Sequence, residues 1–137
     1  MTLQTAATPP RVLGLYDRPF WDLLAETGQM HLQCCSGCGA WRYPPGPACP
    51  VCLSPDAAWK PVSGGGELLS WVVFHKQYLP AYPAPHLVVA VRLREGPIMV
   101  SYMDHAELER IRLDAPVKLV YAEHADGYKV PKFTLAD

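Results

Sequence analysis

The segment Cys35–Cys52 reads CSGCGAWRYPPGPACPVC and contains four cysteines in the pattern C-x2-C, ten residues, C-x2-C. Each C-x-x-C pair is short enough to place both sulfur atoms on one side of a metal ion, and two pairs complete the tetrahedral shell of a structural Zn2+ site. A shell of four thiolates leaves no coordination position for water or substrate. The spacing therefore predicts a structural zinc ion held by Cys35, Cys38, Cys49 and Cys52.

The alternatives to a zinc site are two disulfide bonds or four unrelated thiols in the core. Disulfides require an oxidising compartment, and the N-terminal sequence MTLQTAATPPRVLG has neither the apolar region nor the cleavage pattern of a signal peptide. We therefore expect a reduced, cytoplasmic protein. The fifth cysteine, Cys34, would form a C-x3-C pair with Cys38, which suits a ribbon knuckle less well. Competition between Cys34 and Cys35 for the metal stays open.

Length and composition indicate a small globular protein. A chain of 137 residues suits one domain or two small units that share a surface, and its hydrophobic (50%) and charged (18%) fractions are ordinary. No apolar run approaches the roughly 18 residues of a membrane helix, so we expect no membrane partner. The net charge of -1 and pI near 6.5 lack the basic excess that nucleic-acid binding requires.

The first 30 residues are predicted to form an arm followed by a short helix. Residues 1–16 are rich in Thr, Ala and Pro without periodicity, which is typical of a mobile arm. In residues 17–30, Asp17 is a candidate cap, Pro19 suits the first turn and Gly28 suits the end of a helix. The apolar stripe consists of Phe20, Leu23 and Leu24. This stripe suits packing on the chain's own body and docking on another subunit equally well.

Residues 31–62 are predicted to form a rubredoxin-like zinc ribbon, and residues 63–137 a separate β-rich unit. A hinge signal at glycines 64–66 precedes short strand-like segments. These segments are ELLSWVVFHKQ, HLVVAVRLR, PIMVSYM, PVKLVYAEH and YKVPKFTL. Five strands with a helical piece between the third and fourth are typical of an OB-fold barrel. A five-stranded open sandwich would give a similar pattern.

Local signals within this second unit support the strand assignment. Alternation in the second strand predicts one buried face, formed by Leu87, Val89, Val91 and Leu93. Asp104 and Glu107 match a capping pattern for a short helix. The Asp126-Gly127 pair predicts a hairpin turn before the last strand. The expected fold is therefore mainly β, with an N-terminal amphipathic helix, a zinc ribbon and a five-stranded barrel.

This order of elements resembles the zinc-ribbon and OB-fold acyl-CoA-associated family, long catalogued as a domain of unknown function. The segments that carry the resemblance are RPFWDLLAETGQMHLQ, CSGCGAWRYPPGPACPVC, SGGGELLSWVVFH, VVAVRLREGPIMVSYM and IRLDAPVKLVYAE. The second is the most specific, because the cysteine spacing occurs together with the R-x-P-P of Arg42–Pro45. Two positions depart from the pattern: Asp114 stands where the family often has glycine, and Cys34 where a polar or basic residue is common.

The resemblance implies a non-catalytic accessory subunit in lipid metabolism. Members of that family are small partners of thiolases, acyltransferases or retro-aldolases of the thiolase type, or of hydroxymethylglutaryl-CoA synthase. They form hetero-oligomers in which the larger subunit carries the catalytic residues. They are thought to bind or channel acyl-CoA at the shared interface. Structural Zn2+ is the one cofactor implied.

Two segments are candidates for contact with acyl-CoA or with the partner subunit. Arg42 can pair with a phosphate while Trp41 or Tyr43 stacks on adenine, and Pro45 belongs to the proline wall beside them. Alternatively, the aromatic residues simply cover the zinc knuckles. The second segment, the loop from Lys76 to His86, displays two tyrosines and is rich in proline. Those tyrosines are Tyr78 and Tyr82, and a merely rigid connector is the alternative reading of their loop.

No catalytic residue is predicted in this chain. The sequence contains no G-x-S-x-G, no H-E-x-x-H and no suggestive pair of carboxylates. The five histidines are scattered, although His75 and His86 could approach each other across the first barrel hairpin. A nucleic-acid-binding ribbon and OB-fold module is the alternative function, and the slightly acidic charge balance argues against it.

Overall fold

The computed structural model describes residues 10–136 and confirms the predicted fold class. One helix, α1, precedes a three-stranded ribbon sheet, which is followed by a closed five-stranded barrel. The helix and ribbon strands are α1 (Asp17–Thr27), β1 (His31–Cys35), β2 (Trp41–Arg42) and β3 (Ala57–Pro61). The barrel strands are β4 (Gly65–Phe74), β5 (His86–Leu93), β6 (Ile98–Met103), β7 (Pro116–Glu123) and β8 (Lys129–Leu135), with a 3-10 helix at His105–Arg110. The exact domain boundaries stay a prediction.

Helix α1 ends where the sequence predicts a stop. Gly28 adopts φ 74°, and its N–H donates to the Leu24 carbonyl at 2.9 Å, a left-handed cap that glycine forms without strain. Asp17 lies in the first turn rather than at the cap, and Tyr16 at the cap position makes no side-chain bond. Phe20 is buried, so the apolar face packs on the chain's own body.

One residue of the predicted N-terminal arm is fixed to the barrel. Residues 1–9 lie outside the described part of the chain, whereas Arg11 forms an ion pair with Asp126 at 2.7 Å. Its guanidinium lies 4.6 Å from the ring centres of both Trp21 and Tyr128. Cation–π contacts with two rings and an ion pair with Asp126 hold this segment against α1 and the β7–β8 turn.

The ribbon sheet has the order β2-β1-β3, with all pairs antiparallel. Strand β1 is central and carries Cys35 as its last residue. Since both of its edges are paired, its side chains from Leu32 onward are buried. The sheet thus fixes the position at which the first zinc knuckle begins.

The barrel has the strand order β4-β5-β6-β8-β7 and closes through antiparallel pairing of β4 with β7. The predicted inward residues of β5, from Leu87 to Leu93, are all buried. Strands β6 and β8 run parallel and meet at Met103 and Phe133. The predicted hairpin at Asp126-Gly127 joins β7 to β8, with Gly127 at φ 88°. The closed barrel excludes the open-sandwich alternative.

The glycine run at 64–66 is not a hinge. Gly65 and Gly66 form the first residues of β4, which pair with both β5 and β7. A Cβ atom on Gly66 would lie 2.6 Å from Val91 Cγ1 and 2.7 Å from the Arg92 carbonyl oxygen. Only a residue without a side chain permits this close approach of two strands. The glycines therefore serve barrel packing.

Only one of the two residues in the predicted capping pattern caps the 3-10 helix. The Asp104 carboxylate accepts a hydrogen bond from the Ala106 N–H at 3.1 Å. Glu107 does not complete a capping box, because its buried carboxylate accepts from Thr134 Oγ1 and from the Leu135 N–H, each at 2.9 Å. Its role is to fasten this helix to β8.

The ribbon and the barrel share one hydrophobic core. Phe20, Met30, Leu32 and Val62 pack in the same buried cluster as the barrel interior. The Met30 N–H also donates to the Tyr121 hydroxyl of β7 at 2.8 Å. Because this core is continuous, the zinc site has a defined position relative to the barrel. Within the described residues, no helix is long and apolar enough to cross a membrane.

Candidate metal centre and adjoining cavities

Two equivalent turns assemble the four predicted ligands. In the first knuckle, the N–H groups of Gly37 and Cys38 lie 3.3 and 3.5 Å from Cys35 Sγ. In the second, the N–H groups of Val51 and Cys52 lie 3.4 and 3.5 Å from Cys49 Sγ. All four sulfur atoms lie within 4.8 Å of one another. The residues that form this group are Cys35, Cys38, Cys49 and Cys52.

The knuckle hydrogen bonds favour the thiolate form that binds metal. The N–H of Cys38, with smaller contributions from Gly37 and the neighbouring sulfurs, lowers the pKa of the Cys35 thiol to about 6. The N–H groups of Cys52 and Val51 likewise lower the pKa of the Cys49 thiol. Four soft sulfur donors with two stabilised thiolates fit Zn2+ in a closed structural site. Zinc bound here holds the two knuckles together.

Cys34 stands apart from the metal group. Side chains alternate along a strand, so Cys34 faces the side of β1 opposite to Cys35. Its thiol donates to the Gly39 carbonyl at 3.5 Å and it is buried. Cys35 is therefore the residue of this pair that joins the other three sulfurs.

A cavity of about 540 Å3 lies between the loop that joins the knuckles and the β5–β6 turn. Its ribbon wall includes Trp41, Arg42, Tyr43 and Pro44, and its barrel wall is formed by Glu95, Gly96 and Pro97. Three of the four predicted contact residues in this loop thus line one cavity. Pro45 is not part of its wall.

Arg42, for which the sequence suggests a phosphate contact, is a buried side chain. The side chain is only 4% exposed, and Nη1 donates to the Gly46 carbonyl at 3.1 Å. Nε and Nη2 are buried without a hydrogen-bond partner among residues 10–136. The guanidinium is therefore a buried part of the cavity wall, and its predicted contact with a ligand stays a prediction.

Gln33 holds the loop in place and was not predicted. Its Oε1 accepts from the Gly46 N–H at 2.9 Å, and its Nε2 donates to the Gly46 carbonyl at 3.1 Å. The one available signal was a polar residue inside the apolar strand segment HLQCC. Together with Arg42, Gln33 anchors the loop through a single glycine.

Glu95 is the second unpredicted residue of this cavity. Its Oε2 accepts from the Ser63 N–H at 2.7 Å. The other oxygen, Oε1, is buried and has no hydrogen-bond partner within the described part of the chain. A glutamate in the turn sequence REGP gives no hint of burial, because charged residues in such turns ordinarily lie in solvent.

Tyr78 and Tyr82 line a separate cavity of about 250 Å3. Its wall is mostly aromatic and aliphatic and includes Phe74, Leu79, His86 and Val88. Tyr78 is 69% exposed and lies edge-on to Phe74, with ring centres 6.3 Å apart. The structure therefore assigns the two predicted contact segments to two different cavities.

Tyr82 belongs to a cluster that sequence reasoning missed. His124 lies between two tyrosine hydroxyls, with Tyr102 Oη 3.1 Å from Nε2 and Tyr82 Oη 3.5 Å from Nδ1. The centre of the His86 ring lies 5.2 Å from that of Tyr82 and 5.5 Å from that of Tyr102. Three separate segments contribute to this cluster, so no local motif marks it.

We predict that His86 and His124 titrate below the ordinary histidine value of 6.5. Burial lowers both pKa values, and for His124 the charges of Arg11 and Lys132 lower it further against the opposing effect of Asp126. Because the unfolded chain binds these protons more tightly, folding stability falls as pH falls from 6.5 through the folded pKa values. NMR titration of the imidazole protons measures both midpoints.

The double variant His86→Gln, His124→Gln provides the control for this prediction. Its melting temperature should decline less than that of the wild type when the pH is lowered from about 7 to about 5.5, a range that spans the ordinary histidine pKa. Titration midpoints at or above 6.5 for both histidines would contradict it.

A four-cysteine ribbon joined to an OB-fold barrel defines one class of protein. The family model of the ChsH2 rubredoxin-like zinc ribbon domain matches residues 32–56. The model of the ChsH2 C-terminal OB-fold domain matches residues 59–122. The chain therefore belongs to this zinc-ribbon and OB-fold family, as the resemblance predicted.

Curated relatives include two hydratase subunits and a scaffold protein. The chain is 32% identical over 136 residues to the probable enoyl-CoA hydratase alpha subunit of Thermomonospora curvata, covering 96% of this chain and 43% of that protein. It is 29% identical over 107 residues to the 3-oxo-4,17-pregnadiene-20-carboxyl-CoA hydratase alpha subunit of Mycobacterium tuberculosis, covering 78% and 34%. A DUF35 domain-containing scaffold protein of Pyrococcus furiosus is 28% identical over 87 residues, covering 60% and 61%. The chain thus spans less than half the length of either hydratase subunit.

A solved structure matches nearly the whole fold. The structure titled "Ltp2-ChsH2(DUF35) aldolase" contains a chain that superposes with a TM-score of 0.80 at 28% identity. The match covers 90% of this chain and 97% of that chain. The matched chain therefore has the same helix, ribbon and barrel and a similar length.

Proposed function

We propose that this chain is a zinc-stabilised accessory subunit that docks on a thiolase-like catalytic subunit and helps bind or channel acyl-CoA. The observation that carries the proposal is the solved relative, which is titled as an aldolase of Ltp2 and ChsH2 and matches this chain over almost its full length. The two hydratase relatives are named for CoA esters as well. Catalytic residues are assigned to the partner.

An apolar face on the outside of the barrel supports docking. Cross-strand pairing places Val72 of β4, Val88 of β5 and Tyr102 of β6 on one face of the sheet. Val72 is 55% exposed and Val100, two residues from Tyr102, is 61% exposed. An exposed apolar patch of this kind is typical of a protein interface. It favours a protein partner over nucleic acid, which requires a basic stripe.

The contacts of the histidines agree with an accessory role. His124 lies against two tyrosine hydroxyls, and His31 lies 2.9 Å from the Gln29 carbonyl. Neither arrangement is the pairing of a serine or cysteine nucleophile with a base that acyl transfer requires. The cavity between the ribbon and the barrel offers a binding surface, and the proposal places acyl-CoA there.

Co-purification tests the proposal. A tagged full-length chain, expressed in its own host and identified with its partners by mass spectrometry, should retain a thiolase, aldolase or synthase subunit at fixed stoichiometry. The double variant Val72→Asp, Val100→Asp should lose that subunit, because two charges on the apolar face must be desolvated on docking. Leu113→Asp is the matched control, since Leu113 is 63% exposed but lies outside the β4–β6 face. A wild-type chain that purifies alone as a stable monomer would show the proposal to be wrong.

A further inference from the structure

Three buried polar atoms in the walls of the 540 Å3 cavity have no hydrogen-bond partner among residues 10–136. Two are donors, Nε and Nη2 of Arg42, and one is an acceptor, Oε1 of Glu95. No ion pair joins these two side chains in the described residues. All three atoms are covered by their neighbours, so a bound group reaches them only with a shift of the surrounding wall.

The unpaired side of the Arg42 guanidinium can bind a hydrogen-bond acceptor. Nε and Nη2 lie side by side on the guanidinium plane and present parallel N–H bonds to one acceptor group. Nη1 is already used by the Gly46 carbonyl, which Gln33 also holds. Nη1 therefore holds the guanidinium in place, and Nε and Nη2 remain available to a bound group. Leaving buried polar groups of this kind unpaired is costly, which makes a specific occupant favourable.

The chemistry of the two walls restricts the class of occupant. A phosphate has acceptors for Arg42 but places negative oxygens beside the Glu95 carboxyl group, where the unpaired atom is also an acceptor. An apolar group would leave all three atoms unpaired. A carboxamide satisfies both walls, because its carbonyl accepts from Arg42 and its N–H donates to Glu95.

We propose that this cavity binds a carboxamide group, and that the group is an amide of the pantetheine arm of acyl-CoA. The identity of the donor molecule rests on the proposed function, whereas the amide assignment rests on Arg42 and Glu95. The phosphates and adenine of the same ligand then lie outside this cavity. This differs from the sequence-based expectation, in which Arg42 pairs with a phosphate.

Binding of three probes to the zinc-loaded full-length chain tests the proposal by calorimetry or NMR. Pantetheine should bind saturably, and adenosine 3′,5′-bisphosphate should not bind at the same site. In Glu95→Gln, an amide nitrogen replaces one carboxylate oxygen. It replaces either the acceptor Oε1 that faces the ligand or the Oε2 that accepts from the Ser63 N–H. Arg42→Lys removes the two parallel N–H donors. Each should weaken pantetheine binding by about tenfold, the value of one hydrogen bond to a charged group. Glu67→Gln is the matched control. Glu67 is an exposed residue of β4, so this substitution should leave the affinity unchanged.

The third probe, propionamide, should compete with pantetheine for the site.

Four outcomes would overturn the amide assignment. The first is binding of the bisphosphate that Arg42→Lys abolishes, and the second is binding of pantetheine that neither substitution weakens. The third is that pantetheine binds neither the chain nor its complex. The fourth is a crystal structure in which a water molecule bridges Arg42 and Glu95 and is not displaced by pantetheine. Failure of the proposed function is distinguishable from each. A chain that binds pantetheine but co-purifies with no enzyme keeps the amide site and loses the accessory role, and the reverse result keeps the role and loses the site.

Discussion

Cys49→Ser is expected to abolish zinc binding and unfold the ribbon. Cys49 is fully buried, and its Sγ lies among the other three sulfurs and accepts two backbone N–H bonds. Structural zinc contributes about 10–16 kcal/mol in small metal-dependent folds, which matches or exceeds the total stability of about 5–15 kcal/mol of a typical domain. Elemental analysis should find zinc near one per chain in the wild type and near zero in the variant. Loss of the metal should also lower the melting temperature and the recovery of the partner subunit.

Cys34→Ser is the matched control for the zinc prediction. Cys34 is buried and adjacent to Cys35 in the sequence, yet its thiol donates to the Gly39 carbonyl outside the metal group. A serine hydroxyl can donate to the same carbonyl, so the zinc content should stay at the wild-type value. Retention of zinc by Cys49→Ser, or equal loss in both variants, would contradict the assignment of the four ligands.

Phe133→Ala is expected to lower the free energy of unfolding by about 3–5 kcal/mol, the usual cost of removing a buried phenylalanine. Phe133 is fully buried, pairs with Leu119 on β7 and makes the parallel pair with Met103 on β6. The substitution therefore leaves a cavity beside the parallel contact of β6 with β8. Denaturant titration followed by tryptophan fluorescence measures the change.

Val72→Ala is the control for the core prediction. Val72 is 55% exposed on the outer face of β4, so its truncation should change the free energy of unfolding by no more than about 0.5 kcal/mol. The two substitutions both remove apolar side-chain atoms from barrel strands and differ in burial. Similar losses of stability in both variants would show that Phe133 does not occupy the core as described.

Features that depend on short stretches of sequence could be predicted well. The knuckle spacing identifies the four ligands, because only two or ten residues separate neighbouring cysteines. The period-two pattern of β5 identifies its buried face, and Asp126-Gly127 identifies the last hairpin. In each case the physical cause acts within one turn or one strand, so a single window of sequence contains the whole signal.

Features that depend on burial of charged residues could not be predicted. The sequence suggests that Arg42 pairs with a phosphate and that Glu107 is half of a capping box, yet both side chains are buried. Glu107 bonds to residues 27 and 28 positions away, and Glu95 bonds to Ser63, 32 positions away. The partners decide the role of each carboxyl group, and no local pattern names the partners.

The sequence by itself determined the metal, its ligands, the order of the elements and the inward face of β5, because these follow from ligand spacing and side-chain alternation. Only the tertiary structure decided where the ribbon sits on the barrel. That placement depends on a shared core formed by α1, the ribbon and the barrel interior. The same packing brings Arg42 and Glu95 to one cavity and His124 between Tyr82 and Tyr102. Contacts between remote segments form only when the whole chain buries its apolar surface. A single sequence motif therefore does not reveal which side chains these contacts bring together.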